Sequence, residues 1–260
     1  MSRALWLPGL PPLLACIGLL VVWDVFTRAF AIEGLPPPLE ALRQLPGILT
    51  DPEALLNIAA SLKRMAIGFV LAVAFAMPIG LWMGRSRLIA AAFNPLFMVI
   101  YPVPKAALMP IIMLWLGVGE ASKILVIFLG VSLPVVYHSF QGARTVEEKM
   151  LWSAAAMGVG PAGRMLRIVL PATLPEIMVG CRTGLVLALI TMVTSEMIAR
   201  QTGIGNIFFT ALDMAQYNDV YAMIIIIGVL GFVCDFAFEA VRRWLVSWAD
   251  SPHTIAVGSA

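Results

Sequence analysis

Apolar residues in this chain come in long, nearly uninterrupted runs. Stretches 10–31, 59–83, 88–116, 122–140, 171–198 and 220–238 hold few charges. Each approaches or exceeds the roughly 20 helical residues, at about 1.5 Å each, that cross a bilayer. Backbone polar groups in lipid must be satisfied within the segment, so such runs predict helices. The pattern predicts an all-α membrane protein with about six spans. Arg3 followed by an apolar stretch could pass for a signal peptide, but the run resumes over 25–32 and reads as a retained first span.

The segments between the runs have their own patterns. Leu39, Leu42, Leu45 and Leu49 recur at near-helical spacing behind a proline-rich start, which predicts a short helix lying in the interface. Thr50 and Glu53 stand at capping-box spacing and predict a helix start. Pro95, Pro102, Pro104 and Pro110 predict a broken third run, a feature lipid tolerates only where protein or a water-filled path covers the freed backbone. Residues 200–219 read as an outer loop, with Phe208 and Phe209 at the interface.

Composition agrees with the runs: 61% of the 260 residues are hydrophobic and 12% charged, where soluble domains carry about a quarter charged residues. A net charge of +2 gives no argument for nucleic acid. Cys16, Cys181 and Cys234 lie singly in apolar runs and read as small buried side chains. His138 and His253 stand apart from any ligand-like spacing, so neither a metal nor a cofactor is expected. Six spans place both termini on one side. If that side is the cytoplasm it receives nine basic residues against six, with four of the nine in the 141–170 loop.

That loop is the most informative stretch. Thr145, with Glu147 and Glu148 behind it, has capping-box spacing, and 149–157 is rich in helix formers. Gly158 and Gly160 permit a sharp turn, Pro161 suits the first position of a second short helix over 162–169, and Pro171 should break the chain before the fifth span. By composition alone this is equally an ordinary loop with two interfacial helices. However, Ala154, Gly158, Ile168, Leu170 and Pro171 fall at the offsets of the pattern EAA-x3-G-x9-I-x-L-P, with Trp152 and Ser153 in place of its first two residues.

This pattern resembles the cytoplasmic loop of ABC importer permeases. The likeness extends over Ser61-Leu62-Lys63-Arg64 with Gly68, Pro78-Ile79-Gly80-Leu81 with Gly84, the Pro102 to Pro110 segment, Leu114 to Lys123, Ser195-Glu196-Met197 and Gly203-Ile204-Gly205. Together they are similar to the nitrate/sulfonate/taurine branch. The resemblance implies the type I importer permease fold, a homodimer of this chain, two ATP-binding subunits and a periplasmic or surface solute-binding protein. It implies a bacterial inner-membrane location, and the four basic residues of the 141–170 loop decide the expectation that both termini are cytoplasmic. The division is then an N-terminal helix over 1–33, a periplasmic or interfacial segment over 34–58, a permease core over 59–247 and a cytoplasmic tail over 248–260. The loop would couple to the ATPase through Glu147, Glu148, Trp152, Ser153, Ala154, Gly158, Ile168, Leu170 and Pro171.

The chain has no G-x4-GK[ST] phosphate loop, so nucleotide chemistry is expected on another subunit and no catalytic residue is assigned. Three ionisable residues within runs are candidates for the path of a small anion: Lys105, Arg182 and Glu196. For Arg182 a structural ion pair or a snorkelling side chain is the competing reading. For Glu196 it is a plain interfacial position. Asp235 and Glu239 are expected to pair with nearby arginines. An ion-coupled secondary transporter is the rival function; it normally shows an internal repeat, and none stands out here.

Overall fold

A computed structural model describes residues 10–249 except Ala31 and Glu33, with side chains from Leu14 onward. Arg3, His253 and the tail beyond Ala249 lie outside the described residues. The described chain is helical: α1 (Leu10–Phe30), α2 (Pro38–Thr50), α3 (Pro52–Arg85), α4 (Arg87–Ile100), a 3-10 turn (Lys105–Leu108), α5 (Met109–Leu116), α6 (Glu120–Thr145), α7 (Glu148–Ala156), α8 (Pro161–Arg164), a π turn (Met165–Val169), α9 (Leu170–Ala199), α10 (Ile204–Asp213) and α11 (Tyr217–Leu245). Among the described residues, α3, α6, α11 and the continuous stretch Pro161–Ala199 are long and apolar enough to cross a membrane singly. The segments Arg87–Ile100 and Lys105–Leu116 do so only as a pair, bent by 85°. That is the broken third run, and its break lies at Pro102 and Pro104; Pro95 stays inside α4, and Pro110 sits in the first turn of α5.

The centre of the molecule is α6, which packs between α3 and α9. Small residues make this close approach possible, as in membrane bundles generally. A β-carbon on Gly80 of α3 would lie 2.5 Å from Ser139 Cβ, and one on Gly68 2.7 Å from the Ile127 side chain. On the other face, Gly142 and Gly180 bring α6 and α9 together in the same way. Ile127, Val131 and Val135 of α6 complete the buried core with Ala72 and Ala76 of α3 and Ile177 and Ala188 of α9.

Several local expectations need correction. Asp51, not Thr50, caps α3: its carboxylate accepts from the Glu53 and Ala54 N–H groups at 3.1 and 3.3 Å, while the Thr50 hydroxyl turns back to the Pro46 carbonyl. Thr145 belongs to the last turn of α6, where its hydroxyl donates to the Gly142 carbonyl, so the box before α7 does not form; Glu147 is the cap residue. Pro171 does not break the chain. The π turn ahead of it shifts the ladder, the Leu170 N–H reaching Met165 O, and absorbs the proline within one continuous helix. The stretch after α9 is not wholly loop, since it contains α10.

Candidate functional site

The loop between α6 and α9 is a compact hook. Glu148 opens α7 and bonds to Arg85 at the end of α3 at 2.6 Å; the same guanidinium donates to the Ala143 and Val146 carbonyls. The root of the loop is thereby tied to two helices. Leu151 and Ala154 face inward and are buried, whereas Met150, Trp152 and Met157 project outward, Trp152 being 64% exposed. Ser153 also faces outward, its hydroxyl bonded to the Lys149 carbonyl at 2.9 Å.

The helix ends in a Schellman motif. The Val159 N–H bonds to the Ala154 carbonyl and the Gly158 N–H to the Ala155 carbonyl, both at 3.0 Å. This closure requires a left-handed residue between them, and Gly158 has φ +81°. Ala154 and Gly158 of the motif are thus two parts of one cap. Ile168, Leu170 and Pro171 form another device: Ile168 and Leu170 pack on the core while the π turn and Pro171 weld the hook to α9 without a flexible joint.

A second polar assembly lies at the opposite end of the bundle. Arg64 of α3 is 2% exposed and Glu196 of α9 is fully buried. The Arg64 guanidinium donates to Glu196 at 2.7 Å, to Glu120 at 2.6 and 2.8 Å, and to the Thr202 hydroxyl and carbonyl at 2.6 and 3.1 Å. Glu196 also accepts from the Ser61 hydroxyl and from the Gly205 N–H at 3.1 Å. Buried Lys123 donates to the Thr202 carbonyl at 3.0 Å, and Asn57 and Ser61 accept the Gly203 and Ile204 N–H groups at 2.6 and 2.9 Å. Two cations and two carboxylates balance, and the backbone linking α9 to α10 is pinned to α3 and α6. Gly203, at φ +117°, packs directly on the Glu196 carboxylate where no side chain would fit.

The three charges singled out from sequence are therefore not brought together. Glu196 is sealed in this assembly. Arg182 makes a two-pronged pair with Asp235 of α11 at 2.7 and 2.8 Å on a half-exposed face. Lys105 turns its ammonium onto the carbonyls of Ile100, Tyr101 and Val103 at 2.6–3.2 Å, closing the frayed end of α4 at the break; a cation is favoured at such a helix end. Glu239 pairs with Arg242 and Arg243. Sequence reasoning missed the partnership of Arg64, Glu196, Lys123 and Thr202. The signal available was Arg64 itself, a guanidinium within an apolar run that needs partners. Among the described residues no group of acidic, histidine and cysteine side chains is arranged to hold a metal.

Comparison with known proteins accords with this architecture. Residues 76–248 match the family described as binding-protein-dependent transport system inner membrane component. The chain is 32% identical over 237 residues to the taurine transport system permease protein of Escherichia coli, covering 88% of this chain and 86% of that one. It is 30% identical over 248 residues to the putative aliphatic sulfonates transport permease protein of Bacillus subtilis, covering 95% and 89%. It is also 30% identical over 233 residues to the nitrate import permease protein of a Synechocystis species, covering 86% and 84%.

Proposed function

The chain belongs to the inner-membrane components of binding-protein-dependent transport systems, and from that premise we propose that it forms the path for a small oxyanion in an ATP-driven importer. It is a transport subunit, not an enzyme, and it works with an ATPase and a solute-binding protein. Two copies of the chain with two ATPase subunits are the assembly we infer, with the α7–α8 hook and both termini on the cytoplasmic side. Taurine, sulfonate and nitrate permeases are the named relatives, which is why the solute is drawn as a sulfonate- or nitrate-like anion.

The observation that carries this reading is the hook. A short helix closed by a Schellman cap, braced by Arg85–Glu148 and welded to α9, presents Trp152 and Met157 as an apolar knob. Docked in a cleft of a moving ATPase, such a part passes its displacement to α9 and, through α6, to the bundle. Glu147, Ser153 and Ala154 belong to the same element, and Arg182 and Lys105 serve the path by holding α9 to α11 and the break in shape. The test is reconstitution of the chain with its ATPase and binding protein in vesicles. Uptake of a labelled sulfonate or nitrate should require both internal ATP and the binding protein. Uptake driven by an ion gradient without ATP would overturn the reading in favour of a secondary transporter.

A further inference from the structure

One groove on the molecule has a single charged group, Arg144, in its lining. It encloses about 640 Å³ between α4 and α6, running from the hook end of the bundle toward the break in the third run. Its polar lining is Asn94, Tyr101, Tyr137 and Arg144, and no carboxylate lines it. Arg144 lies over the Phe140 ring at 5.4 Å and, among the described residues, bonds to no carboxylate or carbonyl. A cation–π contact of this kind holds a guanidinium in place while leaving its edge N–H groups unused. The Tyr137 hydroxyl accepts from the Gln141 amide at 3.2 Å, which leaves its own proton to donate. Asn94 and Arg144 also line the adjoining groove at the hook end, whose one carboxylate, Glu148, is engaged by Arg85. The Glu176 carboxylate in the neighbouring recess beside Arg144 is likewise engaged, by His138 at 2.7 Å.

An exposed guanidinium in the last turn of α6, with unused N–H groups, neutral hydrogen-bonding neighbours and no carboxylate in its groove, selects an oxyanion. The remaining wall is apolar, with Phe97, Met98, Leu133 and Val136, and suits a short aliphatic group attached to that anion. The geometry points to this groove as an inner-side binding station for a small alkanesulfonate-like anion, with Arg144 as the charge that holds it and Asn94 and Tyr137 as neutral donors. The assignment rests on the importer reading above and adds the residues that meet the solute on its way out of the path.

The test reads local charge without requiring transport. In a complex with ATPase carrying Cys16, Cys181 and Cys234 as alanine, Met98→Cys places a thiol on the groove wall. Its labelling by sulfonatoethyl methanethiosulfonate, itself an alkanesulfonate, is compared with labelling by the trimethylammonioethyl reagent. Each rate is divided by the reagent's rate with a free thiol, in nanodiscs of phosphatidylcholine alone. We expect the anionic reagent to be favoured by at least about fivefold, as one unscreened positive charge nearby produces. Arg144→Ala should abolish the preference, Arg144→Lys should restore most of it, and millimolar ethanesulfonate should slow labelling of the Met98→Cys protein. A preference unchanged by Arg144→Ala overturns the assignment. Protection by added phosphatidylglycerol but not by ethanesulfonate also overturns it, and makes the groove a lipid site. Because ATP-dependent uptake by the wild-type complex is measured separately, absence of the preference in the Met98→Cys protein that retains Arg144, with uptake intact, removes the station alone, whereas absent uptake removes the importer reading.

Discussion

At Gly158 the cost of a side chain is purely conformational. A β-carbon there would meet nothing within 4 Å, yet φ is +81°. A left-handed L-residue costs about 1–2 kcal/mol, least for asparagine and most for β-branched residues. Gly158→Val should therefore open the Schellman cap and misplace Trp152 while leaving the spans inserted. The expected result is normal membrane level with uptake largely lost, and Gly158→Asn should retain much of the wild-type rate; immunoblots of membranes with parallel uptake assays decide it. Wild-type uptake by the valine variant would mean that the hook is not the coupling part. This glycine was legible because a motif spacing and a turn requirement coincide on one residue. The caps at Thr50 and Thr145 were misread for a physical reason. Each threonine ends a helix whose own carbonyls capture its hydroxyl, and beside Thr50 an aspartate competes as the better cap acceptor.

At the scale of elements, the Arg64–Glu196 assembly makes the α9–α10 connection behave as part of α3. Breaking a buried ion pair from one side leaves an uncompensated charge, at a cost of about 3–5 kcal/mol. Glu196→Ala should thus lower the thermal unfolding midpoint of the purified complex strongly. Glu196→Gln, which keeps one acceptor oxygen that Ser61 and Gly205 can share, should lower it less. Replacing both partners, Arg64→Leu with Glu196→Leu, should be milder than Glu196→Leu alone. An alanine variant as stable as wild type would show that the pair contributes no stability and that the connection is held by its backbone bonds. Helix existence was readable in the hydropathy, and so was the broken third run, because proline acts through local sterics. The assembly was not, since Arg64 meets partners 56 to 138 residues away in sequence. Helix α10 and the π turn were hidden for related reasons: one is short and stabilised by packing on α9 and α11, and the other keeps helical a segment that local proline rules would break.

At the scale of the whole molecule, the two polar assemblies sit at opposite ends of one bundle. Arg85 joins the last turns of α3 and α6 at the hook end, while Arg64 joins their opposite ends to the start of α10. The spans that carry the hook and the spans that carry the pinned connection are the same α3, α6 and α9, so a push on α7 has a rigid route to the far face. The charge pattern supports the proposed orientation, with the hook on the cytoplasmic face. Arg85, Arg87, Arg144, Lys149, Arg164 and Arg167 cluster at the hook end, and the positive-inside bias of short loops favours the cytoplasm for that end. Cysteines placed at Lys149 in α7 and at Met214 in the exposed connection between α10 and α11 test this in a background with Cys16, Cys181 and Cys234 replaced by alanine. An impermeant maleimide added to spheroplasts should label the Met214→Cys protein at once. The Lys149→Cys protein should label only after the membrane is permeabilised. The reverse pattern would put the hook on the side that holds no ATP, and no coupling role for Trp152, Gly158 or the helices they serve would survive it.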